Sequence, residues 1–194
     1  FNNDGTKMYI IGSSGDDVNE YSLTTGFDVS TATYVQNFSV SSQETIPTGI
    51  AFNNDGTKMY ILGDAGNDVN EYSLSTAFDV SSASFAGNSE IFSVSSQEVN
   101  PMGITFNNDG TKMFVIGYSG DDVNEYSLST AFDVSTASYV QRFAVGSQET
   151  NPKGMAFNND GTKMFIVGSQ GDDVNEYSLT TGFDVSTATY VQNF

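Results

Sequence analysis

The chain has 194 residues, 38% of them hydrophobic, with 24 acidic against 6 basic side chains, no histidine and no cysteine. A net charge of −18 leaves no basic surface for phosphate, which excludes nucleic acid and anionic membranes as partners. The missing cysteine and histidine exclude disulfides, thiol nucleophiles and the transition-metal sites built on them.

The octapeptide Phe-Asn-Asn-Asp-Gly-Thr-Lys-Met opens at Phe1, Phe52, Phe106 and Phe157, at spacings of 51, 54 and 51 residues. Segments 1–38 and 157–194 differ only at Tyr9/Phe165, Ile11/Val167 and Ser14/Gln170. Repeats of this length stack into one shared core. A single domain of four units is therefore expected: 1–51, 52–105, 106–156 and 157–194, the last incomplete.

The second unit shows the order of elements. Gly49-Ile-Ala-Phe52 is a short first strand in which small residues alternate with large ones, and Pro47 lies in the link before it. Asn53-Asn-Asp-Gly56 is a turn, because Asn and Asp tolerate the left-handed region and Gly enters it at no steric cost. It is not a calcium loop of the EF-hand type, since Ala51 falls where the first acidic ligand belongs. Thr57-Lys-Met-Tyr-Ile-Leu62 is a second strand, apolar on both faces and so expected between two neighbouring sheets. After the loop Gly63–Asp68 comes a third strand, Val69–Leu74, with Tyr72 and Leu74 on one face. Phe78 and Val80 tuck under the sheet in the connection that follows. A fourth strand is expected around Ala83–Val94, three residues longer here than in the sibling units.

Four short strands per unit predict an all-β protein, a β-propeller of four-stranded antiparallel blades of about 51 residues. Ile10, Met59, Ile61, Met113, Val115, Met164 and Ile166 are expected to be buried between blades. The chain starts at Phe, inside a unit, as a processed or partial chain would. It holds four copies of the second to fourth strands but only three full first strands. A closed four-bladed ring is therefore not expected, and further sequence or self-association of the chain should complete the ring. Apolar runs such as Met113–Ile116 are too short for membrane insertion.

At Gly-Ile-Ala-Phe-Asn-Asn-Asp-Gly-Thr-Lys-Met-Tyr-Ile-Leu the unit resembles blades of the YVTN and NHL-like propellers, while the third and fourth strands depart from their pattern. The near-identical units are similar to repetitive surface and tail-fibre-like arrays of microbes and their viruses. The resemblance implies a binding platform more than a defined chemistry.

Among candidate functional residues, the loops between second and third strands carry Asp16, Asp17, Asp68, Asp121, Asp122, Asp172 and Asp173. In a propeller they share one face with the links carrying Glu44, Glu98 and Glu149. An acidic ring there would suit a hard cation such as Ca²⁺, whereas the plainer alternative is solvated turns with Asp capping backbone amides. No other cofactor is implied. Glu20, Glu71, Glu125 and Glu176 recur beside a tyrosine on each third strand. Symmetric repetition favours a structural hydrogen bond or an ion pair between blades, for instance to Lys58, over catalysis. The expectation is a non-enzymatic binding or adhesion module, extracellular or displayed on a cell or virion surface. Its repeated loops would meet a surface glycan or protein. A structural spacer or scaffold of amplified blades is the alternative, and a lactonase-like propeller hydrolase comes third.

Overall fold

The computed structural model describes all residues from Phe1 to Phe194. Blade 1 consists of β1 (Lys7–Gly12), β2 (Asp17–Leu23) and β3 (Ala32–Ser39). Blade 2 consists of β4 (Pro47–Phe52), β5 (Lys58–Gly63), β6 (Asp68–Leu74), β7 (Ala83–Phe85) and β8 (Ile91–Ser93). Blade 3 has β9 (Pro101–Phe106), β10 (Lys112–Gly117), β11 (Asp122–Leu128) and β12 (Ala137–Ala144). Blade 4 has β13 (Pro152–Phe157), β14 (Lys163–Gly168), β15 (Val174–Leu179) and β16 (Ala188–Asn193). Each blade is an antiparallel meander, and together they form an all-β propeller arrangement around one axis. The only helices are single 3₁₀ turns of three residues.

The first strands β4, β9 and β13 lie innermost, and blade 1 has no strand in that position. Small residues there have a steric reason: a Cβ at Gly103 would stand 3.1 Å from Ile116 and 3.3 Å from the Lys153 carbonyl. In the blade turns Gly56 sits at φ 72°, and a side chain at this position would collide with the Phe78 ring.

The second strands behave as a layer between two sheets. Met59 and Ile61 pack with blade 1 residues such as Tyr9 and Val18, whereas Tyr60 and Leu62 pack with Ile104, Met113 and Tyr126 of blade 3. The same split puts Met113 and Val115 towards blade 2, with Phe114 and Ile116 facing Met164 and Ile166 of blade 4. Six of the seven residues expected between blades are fully buried. Ile10 is not: it is 48% exposed, because its face of β1 looks away from blade 2 and no blade stands before it.

Where β3, β12 and β16 pair with their third strands, the register slips by one residue after Glu20, Glu125 and Glu176. This β-bulge sets Gln36, Gln141 and Gln192 directly opposite those glutamates. In blade 2 the three extra residues split the expected single strand into β7 and β8 with a 3₁₀ turn, Asn88–Glu90, between them.

Candidate functional site

Three groups of carboxylates recur, and each is built by local chain geometry. The first comprises Glu44, Glu98 and Glu149 in the links before β4, β9 and β13, all buried. The oxygens of Glu44 accept the amides of Ile46 at 2.6 Å, Ala65 at 3.2 Å and Gly66 at 3.1 Å. Glu98 accepts from Asn100, Ser119 and Gly120, and Glu149 from Asn151, Gln170 and Gly171. Each glutamate thus ties a link to the loop between the second and third strands on the same face of the blade. Charge-assisted bonds of this kind are strong. The glycine ending each second strand makes the room: a Cβ at Gly63, Gly117 or Gly168 would collide with the carboxylate.

The second group sits in those loops. Asp16, Asn67, Asp121 and Asp172 occupy the left-handed region at φ 47–53°, where Asn and Asp are the best-tolerated non-glycine residues. Asp17, Asp68, Asp122 and Asp173 each accept the side-chain amide of the asparagine two positions on. Arg142 adds an ion pair to the buried Asp122 at 3.2 Å. Burial pushes the carboxyls of Asp68 and Asp122 up from the usual range, against those amide bonds. Asp16 and Asp121 each keep one buried oxygen without a hydrogen-bond partner.

The third group joins blade to blade. Lys7 pairs with Glu20 at 2.7 Å inside blade 1, while Lys7 Nζ and Tyr9 Oη both donate to the Phe78 carbonyl of blade 2. The Val80 amide donates back to Glu20, and Gln36 donates to both Glu20 and Asp79. The ion pair therefore lies within a blade, and its two charged groups reach the neighbour through charge-assisted hydrogen bonds, Lys7 to the Phe78 carbonyl and Glu20 from the Val80 amide. Phe78 holds φ 58°, uncommon for a bulky residue, and its carbonyl is fixed from the neighbouring blade. The joint recurs between blades 3 and 4, where Lys112 reaches the Phe183 carbonyl, Val185 donates to Glu125 and Gln141 bridges Glu125 and Asp184.

Blade 2 departs from this rule. Its extra turn puts Glu90 near the place that Gln36 and Gln141 take in their blades. Oxygens of Glu71, Glu90 and Asp133 lie within 4.8 Å of one another, a grouping of acids found nowhere else in the chain. Lys58 holds one oxygen of Glu71 at 2.6 Å. The other, Oε2, is buried and unpartnered, with the Val134 amide beside it but not closing a bond of normal geometry. Burial pushes the Glu71 carboxyl up and Glu90 adds repulsion, both against the pull of Lys58. The sequence signal was the three-residue insertion; which side chain it would deliver next to Glu71 was not visible in it.

On the axis a hollow of about 380 Å³ is lined by apolar residues and backbone, among them Ile10, Thr48, Ile50, Met102, Ile104 and Met155. On the outer rim, Tyr34, Tyr139 and Tyr190 are exposed beside Val35, Val140 and Val191. Each of these tyrosines packs edge-on against the tyrosine of its third strand at 5.7–5.8 Å. A polar recess of about 170 Å³ next to Tyr139 is lined by Ser96, Gln97, Asn124 and Arg142.

No family model and no curated protein matches the chain. Solved structures do. A 6-phosphogluconolactonase candidate from Bacteroides uniformis aligns with a TM-score of 0.62 at 12% identity, over 98% of this chain and 55% of that one. The periplasmic gluconolactonase of Pseudomonas aeruginosa gives 0.58 at 13%, over 99% and 51%. A chain of a nidogen/laminin complex gives 0.62 at 12%, over 96% and 61%. These likenesses establish the propeller fold, and the chain spans little more than half the length of each.

Proposed function

We propose that the chain is a non-catalytic binding module that presents one recognition surface several times over to a surface glycan or protein outside the cell. The observation that carries this is the outer rim, where an exposed Tyr–Val pair recurs in the same setting on β3, β12 and β16. Tyrosine offers a large rigid face with a polar tip, and amide or guanidinium groups beside it supply hydrogen bonds. Three equivalent weak sites gain strength by avidity when the ligand is itself repeated. The YVTN and NHL-like resemblance and the nidogen neighbour agree with a platform of this kind. The lactonase neighbours favour a second reading, a hydrolase, but no carboxylate, lysine or arginine lines the axial hollow of this chain.

Glycan and protein arrays at physiological salt test the proposal, with the wild type beside a Tyr34→Ala/Tyr139→Ala/Tyr190→Ala variant. Binding that falls at least tenfold in the triple variant, and much less in each single one, is the expected result. Silence across both arrays together with turnover of a sugar lactone would overturn it in favour of the hydrolase.

A further inference from the structure

The chain ends in two open faces that match each other. On the free side of blade 4 the joint is already assembled: Lys163 pairs with Glu176 at 2.6 Å and Gln192 donates to Glu176 at 2.9 Å. Lys112, Glu125 and Gln141 stand at 2.7 and 2.9 Å in the filled joint between blades 3 and 4. Here nothing from a following blade donates to Glu176 or accepts from Lys163. Val167 is 45% exposed, although its counterparts Leu62 and Ile116 are wholly buried. An apolar hollow of about 270 Å³ opens beside it between Met155, Phe165 and Val174.

On the free side of blade 1 stands the complementary part. Phe27 holds φ 61°, against 57–58° for Phe78, Phe132 and Phe183 in the filled joints. Asp28 caps the following 3₁₀ turn through Ser30, as Asp79, Asp133 and Asp184 do through their serines. Residues 27–31, Phe-Asp-Val-Ser-Thr, repeat residues 183–187 letter for letter. Yet Val29 is 61% exposed where Val80, Val134 and Val185 are wholly buried. Phe1 packs on Phe27 with the rings tilted at 5.5 Å, placed to meet Phe165 as Phe157 meets Phe114 at 4.7 Å. Along one edge of the blades, Asn3, Asn54 and Asn108 each donate to the corresponding asparagine carbonyl of the next blade, and Asn159 has no such blade to reach.

We propose that the free face of blade 4 receives the free face of blade 1 of a second copy of this chain, head to tail, through the Lys–Glu–Gln, valine and phenylalanine contacts that join blades 3 and 4 outside the innermost strand. The occupant is set by continuity with an interface the chain already makes with itself three times. A head-to-tail contact closes when its rotation permits. Each chain supplies four blades, and propellers hold roughly four to eight, so two copies close one ring with the same joint made twice. The charge of −18 per chain opposes the pairing at a distance, so association strengthens as salt screens it.

Sedimentation velocity between about 1 and 100 µM at 0.15 M salt tests this on the 194-residue chain, within the concentration range of ordinary weak interfaces. The expected species has twice the 20.8 kDa chain mass. Val29→Asp and Val167→Asp change side chains already exposed in one copy, so circular dichroism should be unchanged while each variant alone sediments as a monomer. Mixed together, the two should recover a 1:1 dimer through one joint, because each chain supplies the intact face that the other lacks. Val140→Asp on the outer rim should dimerise like the wild type. A wild-type monomer at 100 µM, or dimers that survive both face variants, would overturn the proposal. Failure of the mixture to pair would do the same, since it would mean a symmetric rather than a head-to-tail contact.

Discussion

Replacing Glu90 by glutamine should stabilise the protein. In blades 1 and 3 a glutamine amide bridges the glutamate of the third strand and the aspartate of the next blade, at 2.8–3.0 Å. In blade 2 a carboxylate stands near that place, and Glu71, 3% exposed, keeps Oε2 without a partner. A buried acceptor left unmade costs about 1–3 kcal/mol. Glu90→Gln supplies the donor and removes one like charge, so a gain of about 1–2 kcal/mol is expected at pH 7, or about 2–8 °C in Tm for a chain of this size. The pH dependence has a definite sign. The folded-state pKa of Glu71 lies above its unfolded value, so the folded protein holds the extra proton between the two. Stability is therefore lost as pH rises through the folded pKa, and the full cost is present above it. The advantage of Glu90→Gln should be largest at pH 7 and shrink towards pH 4, where Glu71 is already protonated when folded. Thermal melts of both proteins at pH 4 and pH 7 measure the difference. An equal or lower Tm for Glu90→Gln at pH 7 would refute the view that the fourth-strand glutamine is what settles this carboxylate.

Ile61→Ala removes a fully buried side chain between blades 1 and 2 and should cost about 2–4 kcal/mol. Ile10→Ala, at the equivalent position on the open face, should cost less than about 1 kcal/mol in monomeric protein, and urea melts of the two variants give the comparison. Glu98→Ala leaves three loop amides without their acceptor and should cost about 3 kcal/mol, with hydrogen exchange rising first at Asn100, Ser119 and Gly120. Millimolar Ca²⁺ should leave the Tm within about 1 °C, because Glu44, Glu98 and Glu149 already spend their oxygens on backbone amides. A clear rise that chelation reverses would show instead that carboxylates left free, at Asp16 and Asp121 or in the Glu71–Glu90–Asp133 group, bind the ion.

Features that depend on residues close together in the chain are legible without any tertiary contact. Turn residues such as Asn53 and Gly56 set backbone angles locally, and the two-residue period of Met59-Tyr60-Ile61-Leu62 decides which side chains share a face. The repeat then multiplied these into four blades and exposed the missing inner strand of blade 1. Partners that arrive from other parts of the chain were beyond such patterns. Glu44, placed by its link at the mouth of the channel with two readings open, meets the amides of Ala65 and Gly66, and Lys58 meets Glu71 together with the Phe132 carbonyl 74 residues away. Ile10 carries the same local signal as Ile61 and differs only in having no blade before it. Glu90 is brought to Glu71 by an insertion that shifts its alignment with Gln36. Local chemistry fixes the shape of a strand and its faces, but whether a face is covered, and by which charge, is decided by where the fold places the neighbouring blade.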